Sequence, residues 1–128
     1  MRYSDNIEIF LEFLRQAKRE YQISITEERE KDTASQDLDH RLELGDNSYH
    51  DMAKIAKVRL QVRRERRQAK DRQQVLKPVT DWMYQNARVI KNLEELLGAV
   101  RRAEKALEGR TYTQKTDILK EVFREGKP

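Results

Sequence analysis

Apolar side chains recur in steps of three and four along most of the chain, the period of an α-helix that buries one stripe. Ile7, Phe10, Leu14, Ala17 and Tyr21 follow this spacing, and Ser4 or Asp5 offers a side-chain oxygen to the free amides of a first helical turn. The same register runs on through Ser24, Glu28, Lys31 and Ser35 before Leu38 and Leu42 restore apolar character. The pattern predicts a helix over about residues 5–44, some 60 Å long, with a weakly packed middle and a break near Ile23 to Thr26 left open. Gly45 is placed to close it in a left-handed cap. Asp46 and Asn47 would turn the chain, and Ser48 with Asp51 would cap the next helix.

A second helix is predicted over residues 49–77, with Ile55, Val58, Val62, Ala69 and Leu76 on one face and Glu65 and Arg72 between them. Pro78 lacks an amide proton and disfavours helical geometry at Lys77, so a break is expected there, with Thr80 capping the next helix. A third helix over residues 81–108 has the broadest apolar face, built from Val89, Ile90, Leu93, Leu96, Leu97, Val100, Ala103 and Leu107, and should organise the fold. Gly98 inside it points to close approach of another helix, and Gly109 stops it. Thr113 would cap a fourth helix over residues 114–124, whose Ile118, Leu119, Val122 and Phe123 form a patch before Gly126. That patch either closes the core of its own chain or enters a groove on a partner.

The fold class expected is therefore all-α: a long, antiparallel, coiled-coil-like helical hairpin with a third long helix and a short C-terminal one, in a single helical domain over residues 1–128. Four glycines, two prolines and the lack of Asn-Gly or Asp-Gly leave nothing to mark the turns of a sheet.

Charge changes this picture more than composition does. Residues 20–46 hold nine acids against three bases, and residues 54–72 hold nine bases against two acids, although the whole chain carries only +4. If the chain reverses at Gly45 to Asn47, residues face each other when their numbers add to about 93. Glu27, Glu28 and Glu30 then lie beside Arg63 to Arg67 as an electrostatic zipper. The competing reading takes Arg59, Arg63, Arg66 and Lys70, with Arg67 beside them, as a stripe that follows a phosphate backbone. No aromatic residue interleaves these bases to stack on single strands, and no helix-turn-helix or zinc finger is recognisable.

Catalytic chemistry finds little support. The absence of cysteine removes disulfides, thiolate nucleophiles and Cys-based zinc sites, and fits a reducing cytoplasm. The longest apolar stretch near the start, Ile7 to Leu14, is interrupted by Glu8 and Glu12 and is too short to span a bilayer, and no signal peptide is visible. His40 and His50 flank the expected turn without forming a helical ligand pair, so solvated residues at a helical tip are expected rather than a metal site. Ser4, Ser24, Ser35 and Ser48 sit at helix starts or on charged faces, with no nucleophile elbow and no glycine-rich phosphate loop. A protein without enzyme activity, cofactor or metal is expected. Trp82 and Tyr84, just after Pro78, either staple a helix start to the core or anchor an interface, and Tyr112 beside Arg110 shares that ambiguity.

The segments Tyr49-His50-Asp51-Met52-Ala53-Lys54, Arg63-Arg64-Glu65-Arg66-Arg67, Leu96-Leu97-Gly98-Ala99-Val100-Arg101 and Arg110-Thr111-Tyr112-Thr113 resemble small helical proteins encoded by phages and prophages of Gram-positive bacteria, over roughly residues 38–113. The resemblance implies a mobile-element setting in a bacterial cytoplasm and supplies no catalytic residues. Small phage proteins of this kind commonly act by occupying a host or viral protein, as when they block a defence complex such as a CRISPR effector. A stoichiometric binder of a protein or nucleoprotein partner is the leading expectation. A nucleic-acid-binding accessory protein and a structural coiled-coil assembly factor are the alternatives. The candidate contact residues are Arg59, Arg63, Arg66, Arg67, Lys70, Trp82, Tyr84, Tyr112 and Phe123. Polar seams in the first two helices leave apolar edges to bury, which predicts a homodimer through the hairpin or the third helix.

Overall fold

In the computed structural model, which describes residues 2–110 and 117–125, the chain forms four helices and no strand among the described residues. They are α1 (Tyr3–Leu44), α2 (Tyr49–Gln85), α3 (Ala87–Glu108) and α4 (Ile118–Glu125). The expected start of α4 near residue 114, its Thr113 cap and Gly126 lie outside the described residues. The longest contact is the hairpin of α1 with α2, and α3 then continues past a one-residue break to pack on the N-terminal part of α1. Among the described residues α4 packs on none of the other helices.

The turn between α1 and α2 is built differently from the sequence expectation. Gly45 is extended, with φ −85° and ψ 157°, and no described glycine has positive φ. Its lack of a side chain matters for space instead: a Cβ there would lie 2.6 Å from the carbonyl oxygen of Arg41. Asn47 supplies the C-cap through its side chain, Nδ2 donating to the carbonyls of Arg41 at 2.8 Å and Gly45 at 3.2 Å while Oδ1 accepts from Arg41 Nε at 2.9 Å. Ser48 and Asp51 form the capping box that their spacing predicts, with Asp51 N donating to Ser48 Oγ at 3.1 Å.

Because both Gly45 and Ser48 are extended, the chain advances along the axis before α2 begins. Cross-helix partners such as Arg59 with Asp39 and Arg66 with Asp32 therefore have numbers adding to about 98, not the 93 of a tight reversal. The inward stripes shift accordingly. On α1, Leu11 is 1% exposed and Phe10 43%, so Leu11 takes the place expected for Phe10. On α2 the half-buried or buried positions run Ile55, Arg59, Val62, Arg66, Ala69 and Gln73, then Leu76, Thr80 and Met83, in alternating steps of four and three. Val58 points outward, and Arg59, Arg66 and Gln73 hold the seam in place of Glu65 and Arg72.

Pro78 does not end α2. The helix runs through it to Gln85 and breaks at Asn86, whose backbone and side-chain amides both donate to the Trp82 carbonyl at 2.9 Å. Thr80 accordingly lies inside α2 and its hydroxyl donates back to the Lys77 carbonyl at 3.0 Å. Pro78 is exposed, so the carbonyl it leaves unpaired, that of Gln74, faces water, while Leu76, Val79 and Met83 on either side pack inward and hold the helix together. In α3 only Leu97 is buried. A Cβ on Gly98 would meet nothing closer than Arg102 of its own helix at 3.4 Å, so no neighbouring helix requires that glycine.

A proline within a continuous helix has a measurable consequence. Replacing Pro78 by alanine restores one helical hydrogen bond and removes a clash worth about 3 kcal/mol, offset by about 1 kcal/mol of lost rigidity in the unfolded chain. Pro78→Ala should therefore raise the unfolding free energy by roughly 2 kcal/mol in urea titration. A neutral effect would indicate a chain break at that point.

Candidate functional site

The seam positions of α2 alternate between apolar and polar along its length, and the polar ones aim at acids and carbonyls of α1. Arg66 pairs with Asp32 and reaches Glu28 at 3.8 Å. Arg59 Nε lies 2.9 Å from Asp39. Gln73 Nε2 donates to Glu28 at 2.7 Å and to the Ser24 carbonyl at 3.2 Å. On the opposite edge of the hairpin Lys31 meets Glu65 at 2.5 Å and Arg72 meets Glu27 at 3.1 Å. The zipper expected from the charge blocks is thus present in a shifted register.

These pairs leave some of the basic block unused. Arg63, Arg67 and Lys70 are spaced four and three residues apart, so they emerge on one side of α2, and among the described residues none of them pairs with an acid. Together with Arg59 and Arg66 they line a groove of about 420 Å³ whose other wall is Asp32, Ser35 and Asp39 of α1. Both acids are already engaged by Arg59 and Arg66, which leaves the cations facing the groove uncompensated. Five side chains singled out from the sequence therefore meet at one place. The groove's α1 wall was not singled out, because it depends on the register across the hairpin.

The aromatic candidates do not join them. Tyr84, 89% exposed, borders a separate apolar cleft of about 510 Å³ at the junction of α2 and α3, formed with Tyr21, Met83, Ala87 and Ile90 among others. Fourteen residues separate it from Lys70, about 21 Å along a helix. Trp82 is 39% exposed and borders neither site, Phe123 is on the exposed face of α4, and Tyr112 lies outside the described residues. His40 and His50 are placed near the hairpin tip, and no three of His, Asp and Glu gather as a metal site among the described residues.

The groove is suited to holding anions. It offers guanidinium forks and an ammonium group at helical spacing, which bind carboxylate or phosphate oxygens by charge-assisted hydrogen bonds. None of the described helices is long and apolar enough to cross a membrane. No family model matches the chain, and no curated protein or solved structure is significantly similar to it.

Ion pairs across the hairpin and along α1 give the fold a defined response to pH. Lys31, with help from Gln61, holds the Glu65 carboxyl below the usual carboxylate range, and Glu65 in turn pushes Lys31 up. Arg19 and Arg15 likewise hold Glu12 low. A carboxyl lowered by folding contributes stability above its unfolded pKa and loses it as pH falls through the lowered value; a raised lysine contributes below its unfolded pKa and loses it as pH rises through the raised one. The melting temperature should be level near neutrality, then fall below about pH 4.5 and above about pH 10. In thermal melts followed by circular dichroism, Glu65→Gln should shrink both limbs without removing them, because Glu12 and the Lys77 ammonium beside Asp81 keep their partners, whereas a wild-type profile independent of pH would contradict the pairing.

Proposed function

We propose that this protein works by contact, without catalysis, binding stoichiometrically to an anionic surface of a protein or nucleoprotein partner inside a bacterial cell. The observation that carries this reading is the row of Arg63, Arg67 and Lys70, uncompensated by any acid among the described residues and aligned along one groove. A chain with nine bases in residues 54–72 and nine acids in residues 20–46 has enough acids to neutralise this row internally, yet the three side chains face outward unpaired. Such cations favour solubility without needing alignment, whereas alignment beside a groove serves recognition. The resemblance to small phage proteins supports an inhibitor of a host defence complex as the biological setting.

A second reading is favoured by the same spacing. Arg63, Arg67 and Lys70 cover about 10 Å of helix, a length over which they can follow successive phosphates of a nucleic acid backbone, with the partner being the nucleic acid itself.

One experiment separates the two. The tagged protein is incubated with bacterial lysate, with and without nuclease, beside the variant Arg63→Glu/Arg67→Glu/Lys70→Glu. Because none of the three holds the hairpin together, the variant should melt within a few degrees of wild type. Retention of a partner near 1:1, unaffected by nuclease and reduced more than about 10-fold in the variant, is the expected result. Retention lost on nuclease treatment, with duplex affinity falling as roughly the 2.7 power of salt concentration, would establish the second reading. Equal capture by wild type and variant would rule out the groove.

A further inference from the structure

The N-terminal half of α1 and all of α3 carry a second set of apolar positions that the described residues leave exposed or half-exposed. α3 runs antiparallel to α1, fixed on one side by Arg101 with Glu8 at 3.1 Å and by Arg15 with Glu94 at 4.0 Å, and at the end by Arg2 with Glu108 at 2.5 Å. Leu11 and Leu14 of α1 and Leu97 of α3 fill the space between them. At 100° per residue, Tyr3, Asn6, Phe10 and Phe13 leave α1 on the side opposite Glu8 and Arg15. On α3 the series Val89, Leu93, Leu96, Val100, Ala103 and Leu107 leaves mainly on the same side of the pair, in alternating steps of four and three.

These ten positions contain no charge, in a chain of which 39% is charged. Phe13 is 52% exposed and Leu96 48%, with Tyr3 and Leu107 more exposed still. Two adjacent helical seams of this kind are half of a four-helix bundle. We infer that a second copy of this chain covers the face, the two α1·α3 platforms packing against each other about a two-fold axis.

Area decides for a second copy over the chain's own α4. The exposed surface is 10891 Å², about half as much again as the roughly 7,200 Å² of a compact monomer of this mass, as a rod one helix pair wide with α4 undocked requires, so the extent of the face itself is what separates the two occupants. The face runs from Val89 to Leu107 on α3, about 27 Å, and from Tyr3 to Phe13 on α1, about 15 Å, each helix being about 10 Å wide. Its footprint of about 420 Å² per copy gives roughly 840 Å² for the pair, the size of a weak, reversible interface. α4 has eight residues, about 12 Å, and covers less than half of the length along α3. A face without charge also meets itself without like-charge repulsion, as a two-fold interface requires. The face centres near residue 8 of α1, more than 20 residues from the Asp32 and Asp39 wall of the basic groove, so dimerisation and groove binding fail or succeed independently.

Light scattering and sedimentation equilibrium between 1 and about 100 μM test the inference. Wild type should approach twice the 15.4 kDa chain mass toward the upper end of this range, and Phe13→Glu/Leu96→Glu should weaken association by more than about 10-fold while keeping its helicity. If that variant does not fold, Phe13→Gln/Leu96→Gln replaces it. Hydrogen exchange on wild type gives a reading free of substitutions: amides of residues 3–13 and 89–107 should gain protection as concentration rises, and those of residues 54–72 should not. A wild-type monomer at 100 μM, or a dimer insensitive to these substitutions, would overturn the inference. So would a chain truncated after Gly109 that dimerises while the full chain does not, since α4 would then be the cover.

Discussion

The mixed seam between α1 and α2 is the constraint on which the rest of the molecule depends. One of its two repeating positions on α2 is apolar (Ile55, Val62, Ala69, Leu76), and the other is polar (Arg59, Arg66, Gln73, Thr80). Apolar burial alone would allow the helices to slide by a heptad with little penalty. The polar positions do not allow it. A one-heptad slip that sets Arg59 against Asp32 also sets Arg66 against Ile25 and leaves a guanidinium half-buried without its acid. Each pair is partly exposed and contributes about 0.2 to 1 kcal/mol, so their role is to fix register more than to supply stability.

Register then decides where the leftover charge goes. With Arg59 and Arg66 turned toward Asp39 and Asp32, the residues one step further around α2 have no acid to meet among the described residues. Arg63, Arg67 and Lys70 become a free cationic row because the seam uses their neighbours, and the groove exists because the two helices stay in contact along that edge. Paired and unpaired cations are thereby separated within a single basic block at the resolution of one residue.

The same division explains the other end of the rod. Two helices side by side bury only one stripe each, and the apolar content of α3 and of the start of α1 exceeds what one stripe requires. The only fully buried large side chain there, among the described residues, is Leu11, while Phe10 and Phe13 stay in water. A protein that packs as a two-layer rod is therefore complete at its polar end and open at its apolar one.

Periodicity alone made the helices legible, along with the position of the hairpin and the Ser48 and Asp51 cap, because steps of three and four and a capping pair are local properties that hold whatever surrounds them. Four of the five basic residues of the groove, Arg59, Arg63, Arg66 and Lys70, were visible as a stripe for the same reason. The register, the inward turn of Leu11 instead of Phe10, and the survival of α2 through Pro78 were settled only by packing. An extended Gly45 and Ser48 displace the pairing by several residues, and burial of Leu76, Val79 and Met83 outweighs a preference that acts only on Lys77 and Pro78. Local chemistry determines which segments are helical; which face each helix turns to its neighbour, and so which residues remain for a partner, is a property of the pair and cannot be read from either helix by itself.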